Sequence, residues 1–145
     1  MGTRSLTKIF STYNDEKKNK QVKEQLVNMY RQYDGYPSGH GVELVDFLNS
    51  GKVVNGLGAD DRNVFNGAGC LAAQMIAHFK NGAGGFYLMP INSKNCGQEF
   101  EYEVIVDFDT HEVTLKCFEV WNKKKLIFEG KPSEFEQFVE ELEEK

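Results

Sequence analysis

Phe100-Glu101-Tyr102-Glu103-Val104-Ile105-Val106-Asp107-Phe108, then Asp109-Thr110-His111, then Val113-Thr114-Leu115-Lys116-Cys117-Phe118 form two runs of alternating side chains about a short polar turn. Phe100, Tyr102, Val104, Val106 and Phe108 alternate with Glu101, Glu103, Ile105 and Asp107. Val113, Leu115 and Cys117 alternate in the same way with Thr114, Lys116 and Phe118. A period of two sends successive side chains to opposite faces of a strand. Two such runs around a short polar turn make an antiparallel hairpin. Leu126 to Glu129 adds a short strand beyond it.

Towards the C-terminus, Gly130-Lys131-Pro132-Ser133 leads into a helix. Phe135, Phe138, Val139 and Leu142 form its i, i+3, i+4, i+7 stripe, and Ser133 with Glu136 fits a capping box. Its acidic end, Glu140 to Glu144, reads as a solvated face. Towards the N-terminus, Gly67 to Lys80 reads as a helix with Leu71, Met75, Ile76 and Phe79 on its buried side. Gly82 to Gly85 ends it, and Phe86 to Ile91 is strand-like. Gly41 to Asn49 is a shorter helix capped by Gly51, with an extended piece at Lys52 to Leu57 and a polar loop at Gly58 to Asn63 after it. Ser5 to Thr12 reads as a strand. Gln25 to Tyr33 reads as its hairpin partner, although Val22, Leu26, Met29 and Tyr30 also fit a helix over Gln21 to Tyr30. Strands joined by turns at both ends, with helices between, predict an α+β fold: a mainly antiparallel sheet with about three helices packed on one face.

The chain has 145 residues, of which 40% are hydrophobic and 27% charged, as expected for a single domain spanning 1–145. A formal net charge of −5 disfavours nucleic acid as the main partner, because that affinity comes largely from Lys and Arg on phosphates. The lysine runs at Lys17–Lys20 and Lys123–Lys125 read as solvated turns. Cys70, Cys96 and Cys117 are odd in number and lack CxxC spacing, which excludes a paired disulfide framework and a recognisable zinc site. His40, His78 and His111 are too scattered to suggest a metal. Asp60-Asp61 reads as loop solvation, and Asp107 with Asp109 as a strand end and its turn. Neither cofactor nor metal is implied. Without an apolar leader or an apolar run near 18 residues, no secretory signal or membrane span is expected, and the predicted location is cytoplasmic.

The segments Met1-Gly2-Thr3-Arg4-Ser5-Leu6-Thr7, Met29-Tyr30-Arg31-Gln32-Tyr33-Asp34-Gly35-Tyr36-Pro37-Ser38-Gly39-His40-Gly41, Gly69-Cys70-Leu71-Ala72-Ala73-Gln74 and Ala83-Gly84-Gly85-Phe86-Tyr87-Leu88 give the chain a resemblance. It resembles a family of small uncharacterised proteins from bacteriophages, prophages and some bacterial and large-virus genomes. The resemblance implies a setting, a virus-associated protein in a host cytoplasm, and no activity.

Two constellations are candidate sites. In the Arg31–Gly41 loop, glycines allow close backbone approach and leave N–H groups for an anion. Arg31 can fork onto phosphate or carboxylate, Tyr33 and Tyr36 can stack on a base, Asp34 can accept from a ribose hydroxyl, and Ser38 and His40 can donate. The competing reading is a structural turn in which Asp34-Gly35 reverses the chain and Ser38 to His40 caps the next helix. At Asn66-Gly67-Ala68-Gly69-Cys70, a helix N-terminus offers N–H groups to an anion. The competing readings are an ordinary Asn66 cap and a buried packing Cys70. Together these predict a non-enzymatic binding protein. It would hold a small anionic, nucleotide-type ligand, such as a host defence signal, between the loop and the start of the middle helix. A protein–protein inhibitor of a host factor is the second expectation. A small hydrolase using His40 with Asp34 or Cys70 is the third. Unpaired edge strands are compatible with a homo-oligomer.

Overall fold

The computed structural model of the chain describes residues 2–56 and 64–144; the polar loop expected at Gly58 to Asn63, with Asp60 and Asp61, and the Leu57 end of the expected extended piece lie outside them. The elements run β1 (Ser5–Asp15), β2 (Lys20–Arg31), α1 (Val42–Asn49), β3 (Lys52–Val54), β4 (Val64–Asn66), α2 (Gly67–Phe79), β5 (Phe86–Leu88), β6 (Phe100–Asp107), β7 (Val113–Val120), β8 (Lys124–Gly130) and α3 (Phe135–Glu143). A single π-type turn, Pro37–Gly41, leads into α1, and a 3₁₀ turn, Pro132–Glu134, leads into α3. The fold is α+β, as the alternation of Phe100–Phe118 required.

Among the described residues the main sheet has the order β5-β2-β1-β6-β7-β8, and β3 pairs with β4 in a small parallel ribbon. Four of the main sheet's five contacts are antiparallel; β1 and β6, at its centre, are parallel. The first hairpin is longer than expected. β2 pairs with β1 from Lys20 to Arg31, which resolves the helix–strand ambiguity over Gln21 to Tyr30 in favour of the strand.

Pairing registers divide the sheet into two faces. Thr7 faces Met29 and Tyr102, Ile9 faces Val27 and Val104, and Val104 faces Leu115. These residues form the front face, on which α1 lays Leu44, Val45 and Leu48, α2 lays Leu71 and Met75, and α3 lays Phe135 and Val139 in one buried cluster. Each such side chain removed from water contributes about 1.5–3 kcal/mol. The back face carries Leu6, Lys8, Glu101, Glu103, Lys116 and Phe118. The crossover from β5 to β6 runs over this face. Asn28 Nδ2 pins it by donating to the carbonyls of Pro90 and Ser93, both at 3.1 Å.

Some local expectations change. β6 ends at Asp107, whose carboxylate accepts from the N–H groups of Asp109 and Thr110, so Phe108 lies in the turn and is exposed. Ser133 and Glu136 do not form the capping box; Glu134 Oε1 accepts from Lys131 N–H at 2.8 Å one turn earlier. Ser50 rather than Gly51 closes α1, its N–H bonded to Phe47 O. No described helix is long and apolar enough to cross a membrane.

Candidate functional site

The Arg31–Gly41 loop is knitted into the core. Arg31 ends β2 on the front face, and its guanidinium lies 5.1 Å from the Tyr33 ring centroid and 5.0 Å from that of Phe86. Its Nη1 donates to His40 Nδ1 at 3.0 Å and to a Glu43 carboxylate oxygen. An arginine can only donate, so Nδ1 is the acceptor and the proton of His40 sits on Nε2, which donates to Thr7 Oγ1 at 2.7 Å. His40 is fully buried between Phe79 and Tyr102, each 5.1 Å away between centroids. Burial, reinforced by the Arg31 charge, pushes its pKa from 6.5 down to about 3.

The backbone donors of the loop's glycines and of His40 are occupied as well. Gly35 N–H donates to Thr3 O, Gly39 N–H to Tyr36 O, and His40 N–H to Asp34 O, at 2.8, 2.9 and 2.7 Å. Tyr102 Oη, whose proton burial holds far above the usual phenol range, donates to Gly35 O at 2.7 Å. These N–H groups are therefore not available to an anion, contrary to the expectation from the glycines. Tyr33, Asp34, Tyr36 and Ser38 remain on the surface, with Tyr36 Oη donating to Asp34 Oδ1 at 3.4 Å. Asp34 touches His40 through its backbone carbonyl, and its carboxylate points elsewhere.

The second constellation lies at the other end of α2. The loop meets the C-terminal Phe79. Cys70 stands about 14 Å back along the helix at ~1.5 Å per residue. Cys70 is half-buried rather than buried, and its thiol lies 3.3 Å from Gln74 Oε1. Asn66 does not cap the helix with its side chain; its Oδ1 accepts from Gly56 N–H at 2.8 Å. Gly67 takes a φ of +81°, and Gly69 faces open space. The structure thus brings Arg31 and His40 together, adds Thr7 and Glu43, and leaves Asn66, Gly67, Gly69 and Cys70 apart from them.

A different arrangement occupies the back face. Between the crossover and the β7–β8 turn lies an open cavity of about 720 Å³, lined by Lys8, Lys94, Gln98, Glu101, Trp121 and Lys124 among others. Its floor is a charged network in the middle of a sheet. Glu101 Oε2 lies 2.7 Å from Lys124 Nζ and 3.5 Å from Lys8 Nζ. Glu103 lies 3.3 Å from Lys124 and 3.7 Å from Lys23. Gln98 Nε2 donates to Glu101 Oε1 at 2.7 Å and to Lys94 O at 2.8 Å, which fastens the crossover to the floor. The side chains of Glu101 and Lys8 are only 4% and 10% exposed. Lys124 is the member of the lysine run that does not simply solvate a turn.

Burial alone would raise the Glu101 pKa. The Lys124 hydrogen bond and the Lys8 and Lys124 charges outweigh it and hold the carboxyl below its usual range. The same pairs raise Lys124 against the effect of its own burial. Lys8, Lys23 and Lys124 thus face the two carboxylates of Glu101 and Glu103. Lys8 has three donor protons and one acceptor at the outer limit of hydrogen bonding. Above the floor stands Trp121, 76% exposed at the β7–β8 turn.

No linear motif marks this cavity, because its residues come from positions 8 to 124. Two signals bear on it in the sequence: the pair Glu101 and Glu103 on the hydrophilic parity of β6, and the sole tryptophan of the chain beside the run Lys123-Lys124-Lys125. Compared with known proteins, the chain matches no family model, no curated protein and no solved structure.

Proposed function

We propose that this chain is a non-enzymatic binding protein for a small anionic ligand with a planar ring, a nucleotide-type molecule, seated in the back-face cavity. The ligand class is the one the sequence suggests; the place differs. One observation carries the reading: Lys8 is an ammonium nine-tenths buried at the floor of an open cavity, with a single carboxylate contact at 3.5 Å. Buried ion pairs contribute little to stability compared with apolar side chains of similar size. Among the lining residues, Lys8, Lys94 and Lys124 against the one carboxylate of Glu101 leave a local positive excess in a chain of formal charge −5. The exposed indole supplies a face for a ring.

In the virus-associated setting that the resemblance implies, such a protein would act by sequestration, keeping a host's nucleotide signal from its receptor. The test is calorimetric titration with adenosine monophosphate and diphosphate. A charge-assisted hydrogen bond contributes about 1.5–3 kcal/mol, so Lys8→Met should weaken binding by about 10- to 100-fold. Base stacking is worth about 1–3 kcal/mol, so Trp121→Ala should weaken it by a similar factor. Absence of binding across nucleotides, or affinity indifferent to both substitutions, refutes the reading.

A further inference from the structure

The β7–β8 turn borders a second cavity. It measures about 540 Å³ and is lined by Glu119, Trp121, Asn122, Lys123, Lys124 and Lys125. Trp121, Asn122 and Lys124 also line the cavity described above. The register shows which face each belongs to. Val120 pairs with Lys124, and Glu119 pairs with Lys125. Val120 shares the back-face parity of Lys116 and Phe118, whereas Glu119 shares the front-face parity of Leu115 and Cys117. The two cavities therefore lie on opposite faces of the same two-stranded ribbon and meet at its tip, where Trp121 stands.

The cations divide in the same way. Lys124 turns to the back, where it joins Glu101 and Glu103. Lys125 belongs to the front parity, and Lys123, at the tip, lines only the front cavity. Each side of the indole thus has its own concavity and its own ammonium groups: Lys8 and Lys94 behind, Lys123 and Lys125 in front. The tip holds its shape through Trp121 N–H on Lys123 O at 3.2 Å and Val120 N–H on Glu99 O at 2.8 Å.

Building on the binding reading above, we infer that the site is two-lobed and takes a dinucleotide-sized ligand that straddles the β7–β8 tip, with one phosphate-bearing unit on each side of Trp121. A mononucleotide fills the back lobe alone. A second unit joined to it enters the front lobe as an intramolecular event and gains from the resulting effective concentration. The chain's net charge of −5 opposes a long polyanion continuing past the tip, which limits the ligand to a short one.

Because Trp121 is the only tryptophan, its emission reports the tip directly. The experiment titrates the full chain with adenosine monophosphate, linear diadenylate and a longer oligoadenylate, reading Trp121 fluorescence and calorimetric affinity together. Diadenylate should bind at least about tenfold tighter than the monophosphate. The longer oligomer should bind no tighter than diadenylate, and Lys123→Ala/Lys125→Ala should bring diadenylate down to the monophosphate's affinity. Equal affinity of wild type for mono- and diadenylate overturns the two-lobed site and leaves the mononucleotide reading standing. Affinity that keeps rising with oligomer length overturns it in favour of an open nucleic-acid track. Failure of every ligand to bind overturns both.

Discussion

A buried neutral histidine makes a defined contribution to the pH dependence of stability, and His40 supplies one. Unfolded, its imidazole titrates near 6.5; folded, burial and Arg31 lower that to about 3. As pH falls through this window the unfolded chain takes up a proton that the folded chain refuses. The His40 contribution is fully present above about pH 6.5 and is lost progressively down to about pH 3, where the folded imidazole also protonates. A gap of ~3.5 pH units at ~1.36 kcal/mol each amounts to about 5 kcal/mol over the whole window, and about 2 kcal/mol by pH 5. The variant His40→Gln removes the titration while its amide keeps an acceptor for Arg31 and a donor for Thr7. Urea unfolding of both proteins at about pH 7 and pH 5, with the slope of free energy on denaturant checked for constancy, reads the effect. Wild type should lose about 2 kcal/mol more than the variant between the two conditions. Equal losses would mean that His40 gains its proton as easily folded as unfolded, and the buried Thr7–His40–Arg31 chain of hydrogen bonds would be refuted.

Three further outcomes follow from the geometry. Tyr102→Phe leaves the Gly35 carbonyl without its buried donor and should cost about 1–3 kcal/mol in chemical denaturation, with faster amide exchange in the Arg31–Gly41 loop. Gly41→Ala places a Cβ 2.7 Å from the fully buried Phe135 ring and should destabilise by about 1–3 kcal/mol, read as a lower melting temperature. Glu136 has its carboxyl pKa raised by its hydrogen bond to Asp46 and by that residue's charge. The folded state is therefore penalised above that pKa and relieved below the ordinary glutamate range. Glu136→Gln should raise the melting temperature at neutral pH, and the gain should vanish in acid.

The sheet was legible where side-chain alternation is strict. Glu101 and Glu103 against Tyr102 and Val104 marked the two faces of β6, and Leu115 and Cys117 did the same for β7. β2 was ambiguous because Val22, Leu26, Met29 and Tyr30 satisfy a period of 3.6 as well as a strand; its pairing with β1 settled the matter. The parallel contact of β1 with β6 left no local trace, since it depends on how a crossover about ten residues long is folded back over the sheet. The Arg31–Gly41 loop was recognisable as distinctive, but its polar residues resemble those of an anion site. The difference lies in where the hydrogen bonds go: Arg31 to His40 and Glu43, Gly35 to Thr3, and His40 to Thr7. The back-face cavity was illegible for a related reason. Lys8, Gln98, Glu101 and Lys124 are ordinary polar residues of four separate segments, and only the register of β1, β6, β7 and β8 puts their side chains on one floor.

Nucleotide bound on the back face of the sheet is told from nucleotide bound at the Arg31–Gly41 loop by locating it on the chain. Backbone amide and indole N–H resonances of the isotopically labelled chain, followed by NMR as adenosine monophosphate is added, distinguish the two faces of the sheet. The largest shifts are expected at the Trp121 indole, at Lys94 to Gln98 and at Asn122 and Lys124, with the Arg31–Gly41 loop unmoved. Shifts centred on Arg31 to Gly41, or no shifts at saturating nucleotide, would contradict the back-face site.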